Sequence, residues 1–403
     1  MRFQLGVAAA TVLAGLGTAT HVQGQSPADP MFSLSGFGTA GLVGTNKDGG
    51  EYVIPGQVRG ADKSWSGEVD SKIGLQVGAK FNSQFSATVQ VLSKQDGRGS
   101  FSPQIEWAFA KWQATPGLAL RAGRMGGPFF AVSDFRDVGY ANTWLRPPID
   151  VYGQVPVSHF DGADLSWQSS VAGKTLTLQA IGGKSSSTVE GTRVEIDALF
   201  GLNATVELID GLNLRLGHVV GKLTVHSASV NQLVGVLRQT PFASVGNELD
   251  PNDKRASFSG IGLSYDQGNW VAMAEYTKRK TKTFIPDTTG WYATLGYRVG
   301  QFTPYATLSR LKTDSSNVNN TIPAGLVLGG LPLRAVVDGA LSLQSTPQKT
   351  AGLGVRWDAW RNVAVKAQFD SIKTTGAGQF YNVQPGFSDQ RVNVYSLAVD
   401  FVF

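Results

Sequence analysis

The sequence predicts an all-β fold, a transmembrane antiparallel β-barrel of about 16 strands with one long connection folded inward after the fifth strand. The chain ends in nine residues that alternate large apolar side chains with small or polar ones, and its last residue is Phe403. It is 42% apolar, but it has no uninterrupted apolar run that could cross a bilayer as a helix. Segments with a period of two recur along its length, as expected for strands that meet lipid on one face and water on the other.

The N-terminus has the features of a cleavable export signal. Arg2 supplies a positive charge, residues Leu5 to Leu16 form a short apolar stretch, and Val22-Gln-Gly24 provides small residues before Gln25. The apolar stretch is too short to span a membrane, which disfavours the alternative of an uncleaved anchor. We therefore predict a signal peptide over residues 1–24 and a barrel over residues 25–403.

Composition excludes several classes of function. The chain has no cysteine, so disulfides and thiolate metal sites are ruled out, and we expect no metal or cofactor. Removal of residues 1–24 takes away only Arg2 among the charged side chains and leaves 34 Lys+Arg against 30 Asp+Glu. This slight positive charge is too small to indicate a nucleic-acid partner.

Alternating segments bounded by turn residues predict sixteen strands, an even number that places both termini on one side of the membrane. The clearest segment runs from Trp65 to Phe81, with apolar residues on one face and charged residues on the other. The segments lie at about 32–43, 65–81, 85–94, 104–114, 118–126, 159–169, 174–183, 192–208, 212–225, 257–265, 269–280, 290–299, 302–311, 348–358, 363–373 and 390–403. Tryptophans near the predicted strand ends are expected on the outer face, namely Trp65, Trp107, Trp167, Trp291 and Trp357.

The connections alternate in length, which favours short periplasmic turns opposite long external loops. The short connections lie at 82–84, 115–117, 170–173, 209–211, 266–268, 300–301 and 359–362, and the long ones at about 44–63, 127–158, 226–256, 312–347 and 374–389. Closure of the sheet is required because an open edge in hydrocarbon would leave backbone groups without hydrogen bonds.

The connection at about 127–158 differs from the others in composition. It is rich in prolines and aromatic residues, including Phe129, Phe130, Tyr140, Trp144 and Tyr152. Such a segment is stiff and suited to packing rather than to moving freely in solvent. We predict that it lies against the barrel wall inside the lumen and narrows the channel.

Local motifs around this connection resemble those of a family of Gram-negative outer-membrane porins. They are Leu120-Arg-Ala-Gly-Arg124, Asp137-Val-Gly-Tyr140, Trp144-Leu-Arg-Pro-Pro148, Val151-Tyr152 and Asp161-Gly-Ala-Asp-Leu165. The resemblance implies a homotrimer in the outer membrane, reached through the periplasm. It also implies a constriction at which acidic loop residues face basic wall residues.

The resemblance places Asp134, Asp137 and Asp150 on the loop as the acidic groups of the pore constriction, and Arg121 and Arg124 on the wall. Arg136 and Arg146 also lie on the loop, and there the sequence departs from a simple division of acidic loop and basic wall. The alternative stays open that several of these side chains pair with one another to hold the loop in place.

We therefore expect a water-filled channel for passive diffusion of small hydrophilic solutes and ions, with weak selectivity that leans to anions. Inward positions of both signs support weak selectivity: Glu68, Asp70, Lys72, Lys80, Arg193, Glu195, Asp197, Glu275, Arg356, Asp358, Lys366, Asp370 and Arg391. The alternative is a channel specific for small anions or organic acids.

An outer-membrane enzyme is a further rival that we do not expect. Only His159, His218 and His226 remain after signal removal, and Ser158 beside His159 would point to the opposite face of a strand.

Two other motifs have simpler interpretations. Lys278, Lys280 and Lys282 lie at the predicted outer end of a strand, where they would contact lipopolysaccharide among the outer-membrane lipids or would simply be solvated. Residues Gly36 to Gly41 match a GxGxxG pattern, but no helix follows. We predict close packing against a neighbouring strand there rather than a dinucleotide site.

Overall fold

A computed structural model describes residues 31–403, and in it sixteen strands form one closed antiparallel barrel. The predicted fold class and strand number are confirmed. The predicted signal peptide lies outside the described residues. Among the residues described, no helix is long and apolar enough to cross a membrane.

The barrel strands are numbered here in chain order, and each pairs with the next. They are β1 (Phe32–Thr45), β2 (Lys72–Lys80), β3 (Phe85–Lys94), β4 (Gln104–Thr115), β5 (Leu118–Gly126), β6 (His159–Val171), β7 (Lys174–Val189), β8 (Thr192–Ile209), β9 (Leu212–Val225), β10 (Lys254–Gln267), β11 (Trp270–Lys280), β12 (Asp287–Tyr297), β13 (Phe302–Ser315), β14 (Gln348–Trp360), β15 (Val363–Thr374) and β16 (Arg391–Val402). β16 also pairs with β1, and this last pairing closes the barrel.

Closure depends on glycines that face the C-terminal phenylalanines. The backbone N–H of Gly36 donates to the carbonyl of Phe403 at 2.9 Å, and the N–H of Phe403 donates back at 3.0 Å. A Cβ atom at Gly36 would overlap the Phe403 ring, and one at Gly38 would overlap the ring of Phe401. The GxGxxG segment is therefore a close-packing surface, as predicted.

Alternation of side chains separates a lipid-facing surface from the lumen. On β16, Tyr395, Leu397 and Val399 are exposed, whereas Ser396 and Asp400 are buried. The same alternation holds across neighbouring strands because directly paired residues share a face. Register therefore assigns each charged side chain to the lumen or to the outer wall.

The strand predicted at 65–81 is wrong in its extent. β2 begins only at Lys72, and residues 65–71 form turns that bury Val69 and Asp70. The strict alternation of connection lengths is also wrong, because the connections at 95–103, 190–191 and 281–286 are short although they lie at the end opposite the termini.

Helices in the external connections form a compact cap that the strand pattern does not predict. These are Ala228–Arg238, Ala243–Leu249 and Leu333–Ser342, and the hydroxyl of Ser227 caps the first of them by accepting from the N–H of Val230. Leu237, Leu249, Ile322 and Val337 are buried where these segments meet. Two small two-stranded pairs complete the connections: Glu51–Tyr52 with Phe380–Tyr381, which joins two different connections, and the hairpin of Val327–Leu328 with Leu331–Pro332.

Register corrects several predicted faces. An extra residue near Ala198, whose φ is 47°, shifts the register between β8 and β9 and places Arg193, Glu195 and Asp197 on the outer side. Arg391 is separated from Tyr395 by four positions, so it also faces outward. Trp107 pairs with the inward Gln90 and points into the barrel, not toward lipid.

Candidate functional site

Residues 127–158, called the inner loop from here on, join β5 to β6 and pack against the inward side chains of the barrel. The inner loop contains short 3₁₀ segments at Ser133–Phe135 and Gly139–Ala141 and a helical turn at Ile149–Tyr152. Its aromatic residues Phe129, Phe130, Trp144 and Tyr152 form a buried cluster with inward residues of the wall. The apolar composition of this segment thus fills part of the lumen with a packed core.

Two wall cations hold the backbone of the inner loop. The ammonium of Lys366 on β15 donates to the carbonyls of Gly139 and Asn142 at 2.7 Å and to that of Trp144 at 2.9 Å. Lys366 is fully buried and forms an ion pair with Asp400 at 2.9 Å. Arg356 on β14 reinforces this attachment by donating to the carbonyls of Tyr140 and Asn142 at 2.6 and 2.9 Å.

Arg146 is the loop's own anchor to the wall. Its guanidinium donates to both carboxylate oxygens of Asp70 at 2.9 and 2.6 Å, and it also donates to the hydroxyl of Ser396 at 2.6 Å. The two charged side chains are only 3% and 2% exposed. This predicted constriction residue is therefore held in a buried pair rather than exposed as a free charge.

Asp150 is also buried rather than exposed at a constriction. One carboxylate oxygen accepts a hydrogen bond from Ser309, and the other has no hydrogen-bond partner among the residues described. Burial raises the pKa of Asp150 to about 6. Because the pKa in the folded state is raised, any stability that this group contributes is present at low pH and is lost as pH rises through about 6.

The open part of the lumen lies between the inner loop and the wall of β2 to β7. It is a cavity of about 540 Å³, called the opening from here on. Outside the buried Arg146–Asp70 pair, its charged lining consists of Lys72, Lys94, Arg98, Arg136 and His159 together with Asp96, Glu106 and Asp137. Both signs of charge therefore face the same cavity.

Asp137 is the loop carboxylate that lies directly across from wall cations. It is 2.9 Å from the ammonium of Lys94, 3.6 Å from that of Lys72 and 3.8 Å from the guanidinium of Arg136. Burial works to raise the pKa of Asp137, but Lys94 and Lys72 outweigh it and hold that pKa well below its usual range. The carboxylate is therefore ionised whenever the channel is in neutral medium.

Asp134 is the exposed acidic group of the inner loop. The wall cations that act on its carboxylate are Arg121 on β5 and Arg215 on β9. Arg121 pairs with the buried Asp164 on β6, and its guanidinium lies 5.3 Å from the ring centre of Phe109. Arg215 donates to the carboxamide oxygen of Asn203 at 2.7 Å and to the carbonyl of Pro128 on the inner loop.

Arg124 does not face the lumen. It is three positions from Arg121, so the two side chains lie on opposite faces of β5, and Arg124 shares the lipid-facing side with Leu120. There it pairs with Asp161 at 2.7 Å, and both side chains are about one-third exposed, at 33% and 36%. Its assignment to the pore constriction is corrected.

Sequence reasoning missed Lys94 and Arg215 as lumen-facing cations. Arg215 could have been found from alternation, because it lies between Leu214 and Leu216, which face outward. The carbonyl partners of Lys366 leave no trace in the sequence, since every residue has a backbone carbonyl.

The predicted outer basic residues lie at the external end of the wall. Lys278 and Lys280 share the outer face of β11 with the exposed Tyr276, and Lys282 is exposed in the connection that follows. Contact with lipopolysaccharide at these residues stays a prediction.

Ser158 and His159 are closer than strand alternation predicts. The hydroxyl of Ser158 lies 3.2 Å from Nδ1 of His159, because β6 begins only at His159. Nδ1 of the same ring is also 3.6 Å from the carboxylate of Glu106. A hydrolytic triad uses opposite ring nitrogens for the nucleophile and the acid, and this arrangement uses one nitrogen for both.

Comparison with known proteins gives a family and a fold. The model of the Gram-negative porin family matches residues 9–402. Among curated proteins, none matches this chain in sequence.

Solved structures of outer-membrane proteins share the barrel at low sequence identity. OmpF of Salmonella typhi, in complex with daunomycin, is 14% identical with a TM-score of 0.55, covering 92% of this chain and 97% of its own. The trimer form of in-vitro folded OmpT of Vibrio cholerae is 12% identical with a TM-score of 0.54, covering 93% and 100%. An anion-selective porin from Comamonas acidovorans is 12% identical with a TM-score of 0.52, covering 92% and 99%.

Proposed function

This chain belongs to the Gram-negative porins, and on that premise we propose that its opening passes small hydrophilic solutes and ions with weak selectivity that leans to anions. The chain is a diffusion channel of the Gram-negative outer membrane.

The observation that carries the proposal is the mixed charge of the opening. Lys72, Lys94, Arg98 and Arg136 line it against Asp96, Glu106 and Asp137, which leaves a slight excess of positive charge. Opposed charges across a narrow lumen create a transverse field that favours small polar solutes over apolar ones. A small positive excess favours the entry of anions slightly over the entry of cations.

Reversal potentials under a salt gradient test this proposal on the full chain in planar bilayers. We expect a small potential of the anion-selective sign, moved toward cations by Arg136→Gln, which removes a charge from the opening. Arg124→Gln removes the same charge from the outer face of β5 and should leave the potential unchanged. A strong preference for cations, or equal effects of the two variants, would contradict the proposal.

The rival function is a channel specific for small anions or organic acids. The slight positive excess of the opening is compatible with it, and the anion-selective porin named above shows that the fold can support such a preference. Single-channel current separates the two functions. Saturable block by one class of anion would indicate a specific channel, whereas current proportional to bulk salt with no saturable block would indicate general diffusion.

We also propose that the protein is a homotrimer whose subunits meet at the outer face of β1 to β3. Within these described strands, no charged side chain lies on the outer face, which carries Leu42, Ile73, Leu75, Val77 and Val89. The trimeric structure of the related barrel supports the same assembly. Native mass spectrometry should give particles of three chains, and a purely monomeric population would contradict the proposal.

A further inference from the structure

Four basic side chains form an uninterrupted row on the outer wall of the barrel. Arg310 on β13 pairs directly with Lys349 on β14, Lys349 pairs with Lys373 on β15, and Lys373 pairs with Arg391 on β16. Paired residues of antiparallel strands share a face, so all four side chains point the same way. They are called the basic row from here on.

The basic row faces the membrane side, not the lumen. Arg310 alternates with the buried Leu311 and lies two positions from Leu308, which is exposed to lipid. Arg391 likewise shares the face of Tyr395 and alternates with the buried Val392. All four basic side chains are exposed.

The basic row lies at the external border of the apolar band. Lys349 and Arg391 are among the first residues of their strands, and Lys373 is next to the last residue of its own. On β12 and β11 the same row continues as Trp291 and Tyr276, aromatic residues typical of the membrane interface. The basic side chains therefore stand at the level of the lipid headgroups.

The protein itself does not neutralise these charges. Within residues 31–403, Arg310 and Lys349 make no hydrogen bond or ion pair, and Arg391 donates only to the hydroxyl of Ser371, at 3.3 Å. Lys373 acts only electrostatically on Asp389. Like charges directly opposite on neighbouring strands are destabilising, so the row is unfavourable without an anionic partner.

The basic row is also specific to one side of the barrel. The outer face of β1 to β3 carries no charged side chain within the described strands. A general need for solubility at the external rim would not produce this asymmetry. It matches a wall that meets lipid on one side and neighbouring subunits on the other.

We propose that the basic row binds the phosphate groups of a phosphorylated glycolipid in the outer leaflet. Neighbouring strands lie about 4.8 Å apart, so the row extends over about 14 Å and can meet more than one phosphate. Each phosphate would lie between adjacent cations, with the arginines offering paired N–H donors and the lysines a point charge. The acyl chains would lie along the apolar wall below, near Leu308, Leu353 and Phe369.

Native mass spectrometry of the full-length protein, titrated with diphosphorylated lipid A and with its dephosphorylated form, tests this proposal. We expect tight binding of the diphosphorylated form, weakened about 30-fold by Lys349→Gln/Lys373→Gln. The control Lys47→Gln/Lys63→Gln removes the same charge from the first external connection and should bind as the unchanged protein does. Lys349→Arg/Lys373→Arg keeps the charge and should retain binding.

Three results would overturn the proposal. They are equal binding by the glutamine double variant and the unchanged protein, equal binding of the dephosphorylated lipid, and displacement of the lipid by inorganic phosphate at equal concentration. The last would mean that the row is a site for free anions. The test does not depend on ion selectivity, so it stands apart from the reversal-potential experiment.

Discussion

Replacing Lys366 by methionine is expected to release the inner loop and raise single-channel conductance. The substitution removes the ammonium that joins the carbonyls of Gly139, Asn142 and Trp144 to β15. It also leaves the fully buried Asp400 without its cation, at a cost of about 3–5 kcal/mol. With this attachment lost, the part of the inner loop around Gly139 to Trp144 would move in the lumen and admit larger solutes, which conductance and solute-exclusion measurements would detect.

A matched control exists on the same strand. Lys373→Met removes an identical side chain from the outer face of β15 and should leave conductance unchanged. The double variant Lys366→Met/Asp400→Asn should recover barrel stability without restoring the narrow channel, because the carbonyls of Gly139 and Trp144 still lack their donor. Unchanged conductance in folded Lys366→Met would show that this contact does not set the channel width.

Replacing Arg146 by methionine should destabilise the barrel by about 3–5 kcal/mol, because Asp70 would keep a buried charge without a partner. The same guanidinium also contacts Ser396, so the substitution loosens the inner loop from β16 as well. Thermal unfolding in detergent, followed by the mobility shift between folded and unfolded barrels on a gel, measures the effect.

The Arg124–Asp161 pair is the control for this prediction. Its atoms are as close as those of Arg146 and Asp70, but its side chains are about one-third exposed. Arg124→Met should therefore cost no more than about 1 kcal/mol. Replacing both Arg146 and Asp70 by apolar residues should recover part of the lost stability, since Asp370, 3.5 Å from the same guanidinium, still loses its cation. A loss as large as that of Arg146→Met alone would argue against the explanation by an unpaired charge.

The barrel could be predicted from the sequence because each strand shows its two environments directly in its side chains. Tyr395 to Phe403 alternates between lipid and lumen, and the turns between strands contain residues such as Gly211 and Gly268 that adopt positive φ. The same alternation would have placed Arg124 and Arg391 correctly, since each is assigned by its spacing from an apolar neighbour. The wrong face of Arg124 follows from relying on the resemblance, and the wrong face of Arg391 follows from grouping it with the charged inward residues. In both cases the alternation pattern was present in the sequence.

Other features could not be predicted because their cause is not local. The bulge at Ala198 reverses the faces of the residues before it, and no single residue in the sequence indicates its position. The buried pair of Arg146 and Asp70 joins positions 76 residues apart, and the carbonyls held by Lys366 have no side-chain signature. The helices of the external cap bury their apolar faces against one another, which a search for strands does not anticipate.

The position of the opening is tested most directly by chemical modification of a single cysteine. The chain has no cysteine of its own, so Arg136→Cys introduces the only thiol. Because Arg136 lines the opening, a bulky methanethiosulfonate reagent should reduce the single-channel current of this variant in discrete steps. An unchanged current through channels whose thiol is fully modified would show that ions do not pass between the inner loop and the wall of β2 to β7.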